Sequence, residues 1–225
     1  MAICVLNEMK GIGLKMTKYI KEKNIDDATI FEIASALKEG QLVVFPTDTV
    51  YGIGTNAYDS NACLRIYEVK GRPMHKPLLV LISDISMLKE MVEFINPIEQ
   101  KLIDTFWPGP LTIKFKKKEG ILPSIISAGD NYVRVRLVNE GLIHKLIQIA
   151  GVPIVAPSAN LSGSLTGTKI KNIVNELGSQ VDYILDCGDI KSDTVSTIVQ
   201  VEEGKISVIR EGKIKKEEIE KIVKK

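Results

Sequence analysis

Ile30, Ile33, Ala34 and Leu37 recur at three- and four-residue intervals behind Asp26-Asp27 and ahead of Gly40. That spacing predicts a helix over 27–39 with one apolar stripe, an acidic start and a left-handed stop. The pattern then changes. Leu42, Val43, Val44 and Phe45 form an unbroken apolar run closed by Pro46, the mark of a buried strand that delivers its carboxyl end to a loop, here 47–54. A second helix is predicted from about 59 to 69, stopped by Gly71 and Pro73, and a second buried strand at 78–82. Helical spacing returns at 84–94 and 97–105, followed by strand patterns at 111–116 and 132–138, a helix at 140–150 and a strand at 153–156. The runs 183–185, 195–199 and 206–210 read as later strands with shorter connections. Residues 215–225 read as a charged helix with Ile219, Ile222 and Val223 on one face.

Helices alternating with short β-branched strands predict a single α/β domain: a twisted mixed sheet with flanking helices. No repeat, low-complexity tract or linker interrupts it. The expected division is an N-terminal extension and lead-in over 1–24, the main domain over 25–212 and a charged C-terminal helix over 213–225. Amphipathic periodicity begins only after Met16, which leaves two readings of residues 1–15 open: a loose extension, or sequence upstream of a start at Met16.

Composition narrows the function classes. The chain has 225 residues, 44% apolar and 26% charged, as expected for an ordinary globule with one sizeable core. Thirty basic against 28 acidic side chains leave a net charge of +2, too small a field to make nucleic acid the main partner, so a weak tRNA or double-stranded RNA contact would have to be local. Cys4, Cys63 and Cys187 are far apart, and only His75 and His144 stand beside them, so no protein-ligated metal is expected and a reduced, cytoplasmic setting fits. No stretch approaches the ~20 apolar residues that cross a membrane.

Three polar, glycine-bearing clusters follow apolar strands, where α/β sheets place their ligands. Thr47, Thr49 and Tyr51 offer hydroxyls beside Gly52 and Gly54, a set that also suits a simple capping turn. Lys70, Arg72 and Lys76 concentrate cations on a segment kept from helix by Gly71, Pro73 and Pro77; the choice lies between a polyphosphate site and a solvated basic loop. Ser158, Asn160 and Ser162 precede Thr166 and Thr168 in a loop that either holds a nucleotide or caps a helix. Arg134 and Arg136 share one face of a strand, so a cleft on that face needs anionic partners, either a substrate carboxylate or acidic side chains. The turn 107–112, Trp-Pro-Gly-Pro-Leu-Thr, is architectural. There is no Walker loop, dinucleotide fingerprint or nucleophile elbow.

Taken together, Pro46-Thr47-Asp48-Thr49-Val50-Tyr51-Gly52, Lys70-Gly71-Arg72-Pro73, the turn 107–112 and Pro157-Ser158-Ala159-Asn160-Leu161-Ser162-Gly163 resemble the signature of the YrdC/YciO family over about 25–212. The resemblance implies a YrdC-like fold with a large basic cleft and the activity of a nucleotidyltransferase, L-threonylcarbamoyladenylate synthase. Such an enzyme forms threonylcarbamoyl-AMP and pyrophosphate from L-threonine, bicarbonate or CO2, and ATP, for threonylcarbamoyladenosine in tRNA. Magnesium would accompany ATP, held mainly by its phosphates, and downstream tRNA threonylcarbamoyl-transfer proteins would take the product. By motif, Thr49, Arg136, Ala156 and Ser196 would contact L-threonine. Arg72, Lys76, Tyr132, Ser158, Asn160, Thr166 and Arg210 would contact ATP, with Lys70 and Arg72 catalytic. Leu81 stands where many members carry a histidine, which puts one threonine contact in doubt. The chain looks like the short, single-domain type. The rival readings are a YciO-like protein, a double-stranded-RNA-binding translation factor, and carbamoyl-adenylate chemistry of the hydrogenase-maturation type.

Overall fold

The computed structural model describes residues 16–139, 141–164, 167–191 and 194–223. The chain begins with β1 (Lys18–Lys21), α1 (Asp27–Lys38), β2 (Val43–Phe45), β3 (Gly52–Asn56) and α2 (Ser60–Lys70). It continues through β4 (Leu79–Ile82), α3 (Ile85–Met91), α4 (Pro97–Phe106), β5 (Leu111–Lys116), α5 (Ser124–Ser127) and β6 (Tyr132–Leu137). Last come α6 (Leu142–Ala150), β7 (Ile154–Val155), α7 (Ile170–Leu177), β8 (Tyr183–Asp186), β9 (Thr197–Glu202), β10 (Lys205–Arg210) and α8 (Lys216–Val223).

The strands form one sheet in the order β1-β8-β2-β3-β7-β4-β6-β5-β9-β10. It is mixed: β1 with β8, β2 with β8, β4 with β6 and β5 with β9 run parallel, and the other neighbours are antiparallel. The run 42–45 explains itself in this frame. Val43 and Phe45 join the core that α1 and α6 build on one face, while Val44 joins the core on the other, so the strand is apolar throughout. α1 starts at Asp26, whose side chain accepts from the Thr29 amide, and its predicted stripe is buried against Ile143, Leu146 and Ile147 of α6.

Four elements depart from the predicted map. β1 adds an edge strand with Ile20 buried, so residues 18–21 of the expected lead-in belong to the sheet. β3 takes the last three residues of the expected loop 47–54, and α5 and α7 were not foreseen. At the other end, α8 buries Ile219 in the main core and packs beside α4, so the charged helix is part of the same body. The expectations for residues 1–15 lie outside the described residues.

The sheet sets up the site by what one face lacks. The α1/α6 core reaches β4 at Leu81, and β6 lies next to it with Arg136 beside Leu81 and Arg134 beside Leu79. On β5 the matching register places Thr112 and Lys114 on this face, Lys114 beside Arg134. Apolar packing on this side therefore gives way to polar side chains across β6 and β5, and a cleft opens there.

Candidate active site

The cleft has a volume of about 130 Å³ and is lined by the loop after β2, by strands β4 to β6 and by the segments around 156–158 and 195–198. Arg136, 2% exposed, is fixed by two segments, the turn 107–112 and the loop after β2. Its Nε donates to the Gly109 carbonyl at 2.8 Å, Nη1 to Thr49 Oγ1 at 3.3 Å, and Nη2 to a carboxylate oxygen of Asp48. Burial lowers the Arg136 pKa and the Asp48 charge opposes that shift. Thr47 Oγ1 lies 3.0 Å from Thr49 Oγ1 and donates to the Val50 carbonyl at 2.7 Å, which holds the loop's hydroxyls toward the cleft. Thr112 Oγ1 shares a hydrogen with Ser196 Oγ at 2.9 Å.

Arg72 and Arg210 also line the cleft. Arg72 follows Gly71, whose φ of 56° ends α2 in the left-handed region and turns the basic segment away from the helix. Its Nε and Nη2 donate to the carbonyls of Lys76 at 3.1 Å and Pro77 at 2.8 Å. Arg210 Nη2 donates to the Ser196 carbonyl at 2.7 Å and to Ser196 Oγ at 3.2 Å. Burial lowers both pKa values; Arg134 adds to the effect on each.

The Ser-Ala-Asn loop closes one wall. It continues the sheet through Ile53, whose amide donates to the Pro157 carbonyl at 3.0 Å, and through the Ala159 amide, which donates to Tyr51 at 2.7 Å. Ser158 Oγ donates to Asn160 Oδ1 at 2.6 Å, and Asn160 Nδ2 donates to the carbonyls of Leu161 at 2.8 Å and Ser164 at 3.1 Å. Beneath it, Lys70 at the end of α2 donates from Nζ to the carbonyls of Ser158 and Asn160, and its own carbonyl accepts from the Ser162 amide at 2.8 Å. Burial, reinforced by the Arg72 charge, pulls the Lys70 pKa down to about 7.

Of the residues the sequence singles out, Thr49, Arg72, Arg136, Ala156, Ser158, Ser196 and Arg210 line the cleft together. Lys70 and Asn160 do not line it and instead hold its Ser158 wall. Lys76 is exposed and contributes its carbonyl, which accepts from Tyr67 at 2.9 Å as well as from Arg72. Tyr132 is not brought into the cleft: it borders a second, more open groove with Phe94 and Glu99, and its hydroxyl donates to Glu202 at 3.2 Å. Thr166 lies outside the described residues. Leu81 lines the cleft, where the expected family histidine would have been polar. The sequence assigns no role to Asp48, Thr112 or Gly109, although Asp48 sits inside a quoted motif and the turn 107–112 supplies the carbonyl that fixes Arg136.

Fold and cleft define a single-sheet α/β protein with an arginine-lined site. The chain belongs to the Sua5/YciO/YrdC family, whose model, described as telomere recombination, matches residues 35–212. It is 37% identical over 201 residues to a threonylcarbamoyl-AMP synthase of Pyrococcus abyssi, covering 89% of this chain and 59% of that protein. It is 37% identical over 207 residues to a putative threonylcarbamoyl-AMP synthase of Methanocaldococcus jannaschii, covering 90% of this chain and 96% of that one. The crystal structure of P. abyssi Sua5 complexed with L-threonine superposes with a TM-score of 0.85 at 37% identity, over 91% of this chain and 59% of that chain. This chain thus spans about three-fifths of the P. abyssi protein's length.

Proposed function

We propose that this protein is an L-threonylcarbamoyladenylate synthase, a nucleotidyltransferase that makes threonylcarbamoyl-AMP from L-threonine, bicarbonate or CO2, and ATP. The observation that carries the reading is the lining of the cleft: a buried, pre-aimed guanidinium with hydroxyls beside it, together with arginines without acidic partners among the described residues. An amino acid carboxylate fits Arg136, with Thr49 and Ser196 helping to hold it, and a triphosphate fits Arg72 and Arg210.

In this reading the amine of threonine joins CO2 to give a carbamate, and a carbamate oxygen attacks the α-phosphorus of ATP. The bond to the bridging oxygen breaks, and pyrophosphate leaves with the electron pair. Arg72 and Arg210 hold the phosphates and stabilise the charge that builds on the leaving group, while Ser158, its hydroxyl bonded to Asn160, lines the wall beside them. Lys70 and Asn160 act by keeping that wall in place. Magnesium would accompany ATP, held mainly by phosphate oxygens and water. The adenylate serves threonylcarbamoyladenosine formation in tRNA, handed to transfer proteins in the cytoplasm, with ATP and threonine as the ligands that matter and RNA contact secondary. The direct test is mass spectrometry of a reaction containing all three substrates. A species combining threonine, CO2 and AMP supports the reading, and its absence at any enzyme concentration defeats it.

A further inference from the structure

Four arginines line the cleft, and one of them is balanced by an acid. Arg136 has Asp48. Arg72 and Arg210 direct donors to backbone carbonyls, and among the described residues neither has a carboxylate within ion-pair distance. Arg134 is the fourth. It sits two residues before Arg136 on the same face of β6, roughly 7 Å further along the strand. Its Nε is buried with no hydrogen-bond partner among the described residues, yet the side chain forms part of the cleft wall. Asp130, the acid whose charge acts on Arg134, is bonded to Lys114 at 3.0 Å. Arg134 is also close enough to both Arg72 and Arg210 for its charge to disfavour theirs.

Three guanidiniums gathered with no carboxylate in ion-pair contact among the described residues repel one another in the free protein, and a buried donor without an acceptor adds to the cost. Such an arrangement favours a ligand carrying several negative charges over more than one anionic group. A single amino acid carboxylate does not meet that need, and Arg136 already serves one. We propose that Arg134 is a third phosphate-binding residue, acting with Arg72 and Arg210 on the part of a nucleoside triphosphate beyond the α-phosphate. This rests on the synthase reading for the identity of the nucleotide, but not for the polyphosphate chemistry.

The test is titration calorimetry of the wild-type protein, Arg134→Gln and Arg134→Lys with ATP, AMP, inorganic triphosphate and L-threonine. Arg134→Gln should weaken ATP and inorganic triphosphate about ten-fold or more, while AMP and threonine change less than about two-fold, because only the outer phosphates lose a charge-assisted bond. Arg134→Lys should recover part of the loss. Unchanged triphosphate affinity, or an equal loss for AMP and threonine, overturns the proposal, as does a wild-type protein that binds neither ATP nor inorganic triphosphate. If the expected pattern appears but no threonine-dependent adenylate forms, the synthase reading falls and the Arg134 assignment stands.

Discussion

The Lys70 amine, 2% exposed as a residue, bridges the backbone carbonyls of Ser158 and Asn160 across 88 and 90 positions of sequence. It ties the end of α2 to the wall of the cleft. Lys70→Met keeps the apolar stem and removes the bridge, leaving two loop carbonyls without their donor. Each lost partner costs on the order of 1–3 kcal/mol. The variant should melt earlier and bind ATP more weakly. ATP affinity equal to wild type, measured by calorimetry, would show that the bridge does not position the loop.

Arg136 and Asp48 form a pair in which one side chain is almost wholly buried. Asp48→Asn leaves a buried guanidinium without its ion-pair partner, and stability should fall on the order of 3 kcal/mol, read from urea unfolding. Arg136→Lys loses the fork of donors that meets Gly109, Thr49 and Asp48 at once. We expect the KM for threonine to rise about ten-fold or more, with the KM for ATP nearly unchanged.

The pH dependence of stability has two opposing windows. Glu99 is buried at the start of α4, where its carboxylate accepts from the Asn96 amide at 2.8 Å, yet burial dominates and lifts its pKa from 4.5 to about 7. The folded state therefore holds a proton that the unfolded chain has released, and stability falls as pH rises from about 4.5 to 7. Lys70 does the reverse: the folded state releases its proton near 7 and the unfolded chain near 10.5, so stability rises between those values. Glu99→Gln should flatten the acid-side slope and leave the alkaline one, as followed by urea midpoints across pH.

Gly54 tests the strand that the sequence hides. A Cβ there would lie 2.7 Å from Phe45 Cε1, 2.8 Å from Ile154 Cγ2 and 2.8 Å from the Val155 carbonyl oxygen. Gly54→Ala should cost about 1–3 kcal/mol by overpacking, visible as a lower urea midpoint. An unchanged midpoint would mean that β3 is not held between β2 and β7 as described.

These residues show what the chain reveals and what it conceals. α1 and β2 were legible because burial alone sets their patterns, a stripe in one and a continuous apolar run in the other. β3 was not, because Gly52 and Gly54 read as loop until Phe45 is seen to fill the space their side chains would need. β1 has one buried residue, Ile20, at a sheet edge, too little for a period. α7 is different: Ile170, Ile173, Val174 and Leu177 follow helical spacing, so that signal was present in the sequence. In the site, motifs gave the residues that line the cleft. They could not give Asp48 its partner or distinguish Lys70 beneath the wall from Arg72 within it, since those facts depend on contacts between distant segments.

Pyrophosphate release with and without threonine bears most directly on the central claim. Purified protein given ATP, magnesium and labelled bicarbonate should release pyrophosphate and form a labelled adenylate only when L-threonine is added, and Arg72→Ala should abolish both without altering the fold by circular dichroism. Pyrophosphate release that ignores threonine, or no labelled adenylate with all substrates present, would contradict it.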